Sequence, residues 1–486
     1  MSPAAQRMGP IIVWIRRELR LSDHLALWSA ANDSSAVVPL FIIDDAFRSA
    51  APARQIVIRA GLEDLRSSLR TVGGDLIVRD GEPEHVLHAL LRETGAAGVY
   101  ATKRYHPEER SLDRRIQSSV EAGGKIWKEF KDQVLFEERE ILTKSQASPF
   151  TVFTAYKNAW RNRQEEIAPP LPPPRSLRTP PIDAGALPEA PPASVPGYPS
   201  RPPAGGEREG RAALRAFLKS AVATYHTDRD VPGMAGTSRL SHHLATGSLG
   251  IRTVYHALKE RAASERGLAR LGTDTFLNEL VWREFYYQIL ANYPHAASGS
   301  FKRAFDRLEW SDNRAHLEAW QSGATGYPIV DAAMRQLNAE GWMHNRCRMI
   351  TANFLAKDLH ISWQSGEAYF MRRLADGDVA LNNGGWQWSA GTGNDAQPWF
   401  RIFNPVLQSK KFDPAGIYLR RYIPELARVP DAYLHEPWRM PVSVQNLAGC
   451  RIGRDYPSPV VDHGTERARA LVLYGRIASQ QKEHAS

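Results

Sequence analysis

At 486 residues, with 43% hydrophobic and 24% charged side chains, the chain exceeds one ordinary hydrophobic core and is expected to form two soluble globular domains. Lysine and arginine number 62 against 53 acidic residues, a net charge of +9 that favours anionic partners, nucleic acid among them, without requiring one. Only Cys347 and Cys450 occur, which excludes a disulfide scaffold, a cysteine-ligated iron–sulfur cluster and a cysteine-rich zinc site.

The N-terminal MSPAAQRMGP lacks the basic-then-apolar pattern of a signal peptide, and no apolar run is long enough to span a membrane. A soluble protein in a reducing compartment, the cytoplasm, is expected. Residues 11–15, IIVWI, read as a buried strand, and 37–43, 75–78 and 98–102 as three more. Between them, residues 54–69 carry Ile56, Leu62, Leu65 and Leu69 at helical spacings. Strands alternating with helices predict an α/β domain, a doubly wound parallel sheet. The first strand runs into RRELRLSDH without a G-x-G-x-x-G, so this domain lacks the usual dinucleotide fingerprint.

Residues 169–203 are dense in proline and read as an extended connector. Beyond Gly210 the patterning is helical almost throughout: 211–224, 252–263, 274–292, 328–340 and 343–359 carry apolar residues three and four apart. The expected division is an α/β domain over 9–140, a proline-rich connector over 141–210 and an all-α domain over 211–480.

Four stretches of the second domain could carry chemistry. In TFLNELVWREFYYQIL (275–290), Leu277, Val281 and Phe285 share one helical face, and Glu279, Trp282, Arg283 and Tyr286 the opposite one. That stripe is either a solvated face or a polar-aromatic cleft wall with Glu279 handling hydrogen bonds or protons. In GTSRLSHHLATG (236–247), Thr237 and Ser238 would cap a helix starting near Arg239, and such a helix start can also cradle phosphate. The adjacent His242 and His243 should point different ways, and no metal-binding spacing occurs elsewhere. In GWMHNRCRMITANFL (341–355), Asn345, Arg348, Met349 and Ala352 share a face; a buried Arg348 would need a carboxylate, which Asp376 or Asp378 could supply. Finally, residues 376–405, DGDVALNNGGWQWSAGTGNDAQPWFRIFNP, combine five glycines with Trp386, Trp388 and Trp399 and show little regular periodicity. They read as a glycine-rich aromatic wall for flat rings, or as a surface loop anchored by buried tryptophans.

Together, RRELRLSDH, GTSRLS, FLNELVWREFYYQIL, TGYPIVDAAMRQLNAEGWMHNRCRMITANFLAKDL, residues 376–405 and HEPW (435–438) resemble the photolyase/cryptochrome family, closely the bacterial class I cyclobutane-pyrimidine-dimer (CPD) photolyases. The resemblance covers nearly the whole chain. It implies an α/β antenna domain and a helical domain holding FAD. Tyr225, Thr237, Ser238, Arg239, Leu240, Ser241, Phe276, Arg348, Asp376, Gly377, Asp378 and Asn382 would bind the flavin; Phe276 replaces a frequent tryptophan, and Arg348 would pair with Asp376. Asn382 would face the reactive flavin nitrogen. The implied reaction is light-driven: excited reduced FAD gives an electron to a flipped-out dimer in UV-damaged DNA, the ring splits, and the electron returns. Glu279 would hydrogen-bond the lesion, Trp282 and Trp388 would stack on it, and Asn345 and Met349 would complete the pocket. Arg229, Arg283, Arg346 and Arg401 would meet phosphates, with Tyr286 beside them at the DNA interface. Trp386, Trp363 and Trp310 match the family's electron-transfer chain.

Two alternatives within the family are a (6-4) photolyase and a cryptochrome photoreceptor. The first carries a histidine pair where Asn345 and Met349 stand; the second alters the lesion pocket. An antenna pigment would sit near Arg104, Glu108 and Glu109. Glu109 matches folate-binding relatives, and Arg104 stands where deazaflavin binders carry aspartate, which tilts the reading to methenyltetrahydrofolate over 8-hydroxy-deazaflavin. A monomer is the family default.

Overall fold

A computed structural model describes residues 7–144, 146–189, 191, 202–396 and 398–483. The N-terminal residues 1–6 and the connector residues 192–201 lie outside the described residues. Strands β1 (Ile11–Ile15), β2 (Val37–Ile43), β3 (Ile77–Asp80), β4 (Gly98–Thr102) and β5 (Ile126–Phe130) form a parallel sheet in the order β3-β2-β1-β4-β5. The sheet explains why β1 is apolar at every position. Ile11, Val13 and Ile15 pack on one face with Leu62, Leu65 and Leu69 of helix Pro52–Thr71. Ile12 and Trp14 pack on the other with Leu87, Leu90 and Ile116. The third strand lies two residues beyond its expected start. β5 carries no continuous apolar run, because at the sheet edge it buries only Trp127 and Phe130.

The connector is extended, as its prolines require, but it is laid against the first domain. Val37 and Val78 donate backbone hydrogen bonds to the carbonyls of Arg178 and Ala184, both at 2.8 Å, so the chain covers the open edge of the sheet. Residues 135–167 join the helical part: Phe153, Tyr156 and Trp160 pack with Val281 and Phe285 of helix Gly267–Asn292.

The RRELRLSDH loop interlocks the two parts. Arg20 donates to the Gly247 carbonyl at 2.9 Å, Arg252 pairs with Asp23 at 2.7 Å, and Leu21 N donates to Glu207 at 2.7 Å. Gly247 has φ +64°, and a Cβ there would overlap the Arg17 carbonyl, so only glycine allows this approach.

Three local expectations are corrected. Residues 379–390 of the glycine-rich stretch form a helix, Val379–Ala390. Asp378 caps it, accepting from Leu381 N at 3.2 Å, and Gly391 ends it in the left-handed conformation. Its glycines are packing residues: a Cβ on Gly384 would overlap the Tyr286 ring, so tertiary contact overrides glycine's low helix propensity. The helix expected near Arg239 starts at Ser241 without a side-chain cap, because Arg239 holds a φ of +50° that breaks it. The rings of His242 and His243 lie 4.1 Å apart. Burial lowers their pKa values to about 4 and about 3, and their contacts to Ala204 O and Ser248 Oγ mark them as structural.

Candidate functional site

The helices Gly267–Asn292, Asn345–Lys357 and Val379–Ala390 and the segment 225–245 enclose a cavity of about 440 Å³. Of the candidate residues, Tyr225, Arg229, Thr237, Ser238, Arg239, Leu240, Ser241, Phe276, Glu279, Trp282, Arg283 and Tyr286 line it. So do Asn345, Arg348, Met349, Asp376, Asp378, Asn382, Trp386 and Trp388. Gly377, Arg346, Trp363, Trp310 and Arg401 do not. Gly377 instead turns its carbonyl to Arg54.

Arg348 finds the carboxylate it needs in Asp376. Its Nη2 donates to Asp376 Oδ2 at 2.8 Å and its Nε to Met343 O at 2.9 Å. Burial alone would raise the Asp376 pKa, but the guanidinium outweighs it and holds the carboxyl below its ordinary value. Asp376 Oδ1 is buried with no hydrogen-bond partner among the described residues. Asp378 is tied to the first domain: Arg17 pairs with it at 3.0 Å and with Glu109 at 2.9 Å, and Tyr287 donates to it at 2.5 Å. Against burial, Arg17 keeps Asp378 ionised.

Tyr225 and Phe276 meet edge to face at 5.1 Å and form a buried aromatic wall. The Arg239 guanidinium stacks on Trp342 at 3.9 Å. Asn382 donates to Glu367 O at 2.9 Å, which fixes its amide at the cavity wall. Trp282 stacks on Phe153 at 3.6 Å, nearly coplanar, a partner more than a hundred residues away that no local pattern reveals.

Glu279 accepts from Arg229 at 2.5 Å, and burial raises its pKa despite that cation. Asn345 and Met349 meet at 4.0 Å, one helical turn apart. His344, beside them in sequence, is buried; its Nδ1 caps the following helix by accepting from Arg346 N at 3.1 Å.

Arg283 departs from expectation. It is 8% exposed, donates to Gln133 O at 2.5 Å and lies 4.8 Å over the Tyr287 ring. Position 283 lies at the border of the cavity stripe, and the long side chain reaches across to the first domain, so it is no free cation for phosphate. Arg346 pairs with Asp230 at 2.7 Å, whereas Arg401 is exposed.

Trp386 is 2% exposed, and its Nε1 has no hydrogen-bond partner among the described residues. Trp363 is buried in the same cluster, with Trp310 half-buried against it. Helix Trp363–Met371 packs directly on Trp386 through Gly366, where a Cβ would overlap the indole. In the first domain, Arg104 is fully buried against Glu18 at 3.0 Å.

Among the described residues no helix is long and apolar enough to cross a membrane, and no group of three or more His, Cys, Asp or Glu could hold a metal.

Comparison with known proteins gives two family matches: a model described as the FAD binding domain of DNA photolyase over residues 276–476, and one described as DNA photolyase over 11–175. The chain is 38% identical to the deoxyribodipyrimidine photo-lyase of Agrobacterium fabrum, over 97% of this chain and 98% of that one. It is similar to the crystal structure of a bacterial class III photolyase from Agrobacterium tumefaciens, with TM-score 0.89, 36% identity and coverage of 98% and 99%. It is also similar to a Synechocystis cryptochrome structure, with TM-score 0.87, 29% identity and coverage of 97% and 100%.

Proposed function

The chain belongs to the DNA photolyase family, and from that premise we infer that it is a deoxyribodipyrimidine photo-lyase, a light-dependent repair enzyme that splits cyclobutane pyrimidine dimers in UV-damaged DNA. The observation that carries the reading is that the flavin set and the lesion set line one cavity. FAD suits it: Thr237, Ser238 and Ser241 offer hydroxyls, Tyr225 and Phe276 an aromatic wall, and Asp376 an unpartnered carboxylate oxygen. When bound, reduced FAD supplies the light-driven electron that opens the dimer and regains it afterwards. We assign Tyr225, residues 237–241, Phe276, Arg348, Asp376, Asp378 and Asn382 to holding it.

The protein's own work is positioning. The target nucleotides must leave the duplex, and a partly apolar cavity walled by Trp282 and Trp388 receives flat, unstacked rings. Asn345 and Met349 close that part of the cavity. Glu279, its carboxyl pushed upward by burial, is suited to sharing a hydrogen with a pyrimidine imide and to steadying charge that develops on it. Arg229, Arg346 and Arg401 are the phosphate contacts, now without Arg283. Trp386, Trp363 and Trp310 are the electron path to oxidised FAD.

Asn345 and Met349 favour CPDs over (6-4) lesions, since the neighbouring His344 is spent as a buried helix cap. The intact lesion set favours repair over a purely photosensory role. Pre-reduced protein illuminated with DNA carrying either lesion is expected to clear CPDs and leave (6-4) products; the reverse outcome would transfer the assignment. Glu279→Ala should retain FAD but lower the CPDs split per absorbed photon about tenfold, the loss of one charge-assisted hydrogen bond of roughly 1.4 kcal/mol. An unchanged photon yield would remove Glu279 from this role.

The reading extends to a monomeric cytoplasmic protein with an α/β domain over 9–140 and a helical domain over 211–480; of the expected connector 141–210, residues 141–167 pack with the helical domain and leave the extended linker to the proline-rich stretch after them. It extends also to a methenyltetrahydrofolate antenna, favoured by Glu109 and by arginine in place of aspartate at position 104. Freshly purified protein should then absorb near the violet end beside the flavin bands; a peak further into the blue would assign 8-hydroxy-deazaflavin instead.

A further inference from the structure

Four charged side chains form an unbroken row along the cavity rim. Glu279 Oε1 accepts from Arg229 Nη1 at 2.5 Å, and Arg229 Nε lies 3.9 Å from Asp230 Oδ1. The same Asp230 oxygen accepts from Arg346 Nη2 at 2.7 Å and Nε at 3.3 Å. Arg346 is held further by the Phe412 ring, 4.5 Å away, and by Met349 Sδ at 3.7 Å. The row therefore starts on the cavity-wall residue Glu279, and Arg346 at its far end touches a second one, Met349; its charges cancel in pairs.

This arrangement sets a condition on phosphate binding. The guanidiniums of Arg229 and Arg346 are partly exposed, within reach of a DNA backbone, but both are already held by carboxylates. A phosphate that takes Arg229 leaves Glu279 as a half-buried carboxylate without its cation, which is costly. A pyrimidine dimer in the cavity changes that balance, because its imide N–H groups give Glu279 new hydrogen-bond donors. Undamaged DNA offers no such exchange. Asp230 does not line the cavity and touches neither end of it, yet it faces both cations.

Resting on the repair function inferred above, we propose that Asp230 is a specificity-setting positioning residue. It holds Arg229 and Arg346 in the DNA-free protein and yields them to the backbone when a flipped dimer engages Glu279. Discrimination against undamaged DNA is thus built from a repulsive carboxylate as well as from contacts to the lesion.

The test is equilibrium binding of FAD-loaded protein to matched duplexes with and without one dimer, across a salt series. For Asp230→Asn, affinity for undamaged duplex should rise roughly fivefold and affinity for the damaged duplex by less, so their ratio falls. The salt slope for undamaged DNA should steepen by about one phosphate equivalent. Asp230→Glu, which keeps the charge, should restore the wild-type ratio. Unchanged affinities in Asp230→Asn, or a parallel loss on both duplexes that Asp230→Glu does not restore, would overturn the proposal. If Asp230→Asn purifies without FAD, Arg346→Gln decides: it should weaken the damaged duplex severalfold and barely move the undamaged one, and equal losses on both would refute the idea. Wild-type repair under blue light, run alongside, tests the underlying function separately. An active wild type with a silent Asp230→Asn removes only this proposal.

Discussion

Trp386→Phe is expected to slow the photoreduction of oxidised FAD by on the order of tenfold or more, equivalent to at least ~1.4 kcal/mol on the effective barrier, while pre-reduced protein still repairs dimers. Trp386 combines three properties required of the first residue in an electron path. It lines the cavity, it is shielded from water, and the helix carrying Trp363 packs directly on its ring through Gly366. Phenylalanine keeps an aromatic ring against Phe370, whose centroid lies 5.0 Å away, but it lacks the readily oxidised indole. The lost ring atoms should cost about 2 kcal/mol of stability, too little to unfold a domain of this size. Transient absorption with oxidised protein reads the first effect, and repair yield with chemically reduced protein reads the second. Equal photoreduction rates in the two proteins would take Trp386 out of the path.

Arg348→Ala should act on stability and cofactor together. Removing the guanidinium leaves Asp376, 7% exposed, as a buried carboxylate without its cation. Loss of one partner from a buried pair costs about 3–5 kcal/mol, and the partial exposure of Arg348 reduces this to roughly 2 kcal/mol. The variant should purify with little FAD. The pH dependence has a definite sign. Arg348 depresses the Asp376 pKa in the folded protein, so its contribution is present above the ordinary carboxylate value and is lost as pH falls through the folded one. The stability gap between wild type and variant should therefore be widest near neutrality and close in acid, as Asp376 becomes protonated. Urea unfolding at pH 7 and at about pH 3 checks this, since only the lower value lies below the ordinary aspartate value of about 3.9, where the depressed carboxyl begins to take up its proton. A gap independent of pH would mean that packing, and not charge, is what Arg348 contributes.

Much of this was legible in the chain, for reasons that differ by element. β1, β2 and β4 are buried on both faces and so read as apolar runs, whereas β5 at the edge does not. The stripe of Glu279, Trp282 and Tyr286 follows from helical periodicity alone, and so does the shared face of Asn345, Arg348 and Met349. Helix Val379–Ala390 was hidden because its glycines and asparagines oppose helix locally; the Tyr286 ring against Gly384 and the Asp378 cap override them. Arg283 misled because a helical wheel fixes the direction of Cβ but not where a long side chain ends. The pairs Arg17–Asp378 and Arg346–Asp230 join residues 361 and 116 positions apart, and no pattern within one segment reveals them. Asp230, next to Arg229, looks like any solvated charge until Arg346 is seen to reach it. The family resemblance supplied the roles of the tryptophans, which burial and periodicity would have left as core.

Light-driven splitting of the lesion is the event on which every assigned role converges. Purified protein with fully reduced FAD, mixed with an oligonucleotide carrying one cyclobutane thymine dimer, should restore the two thymines under blue light and leave the dimer intact in darkness. A dimer that survives illumination while FAD remains bound and reduced would contradict the repair function.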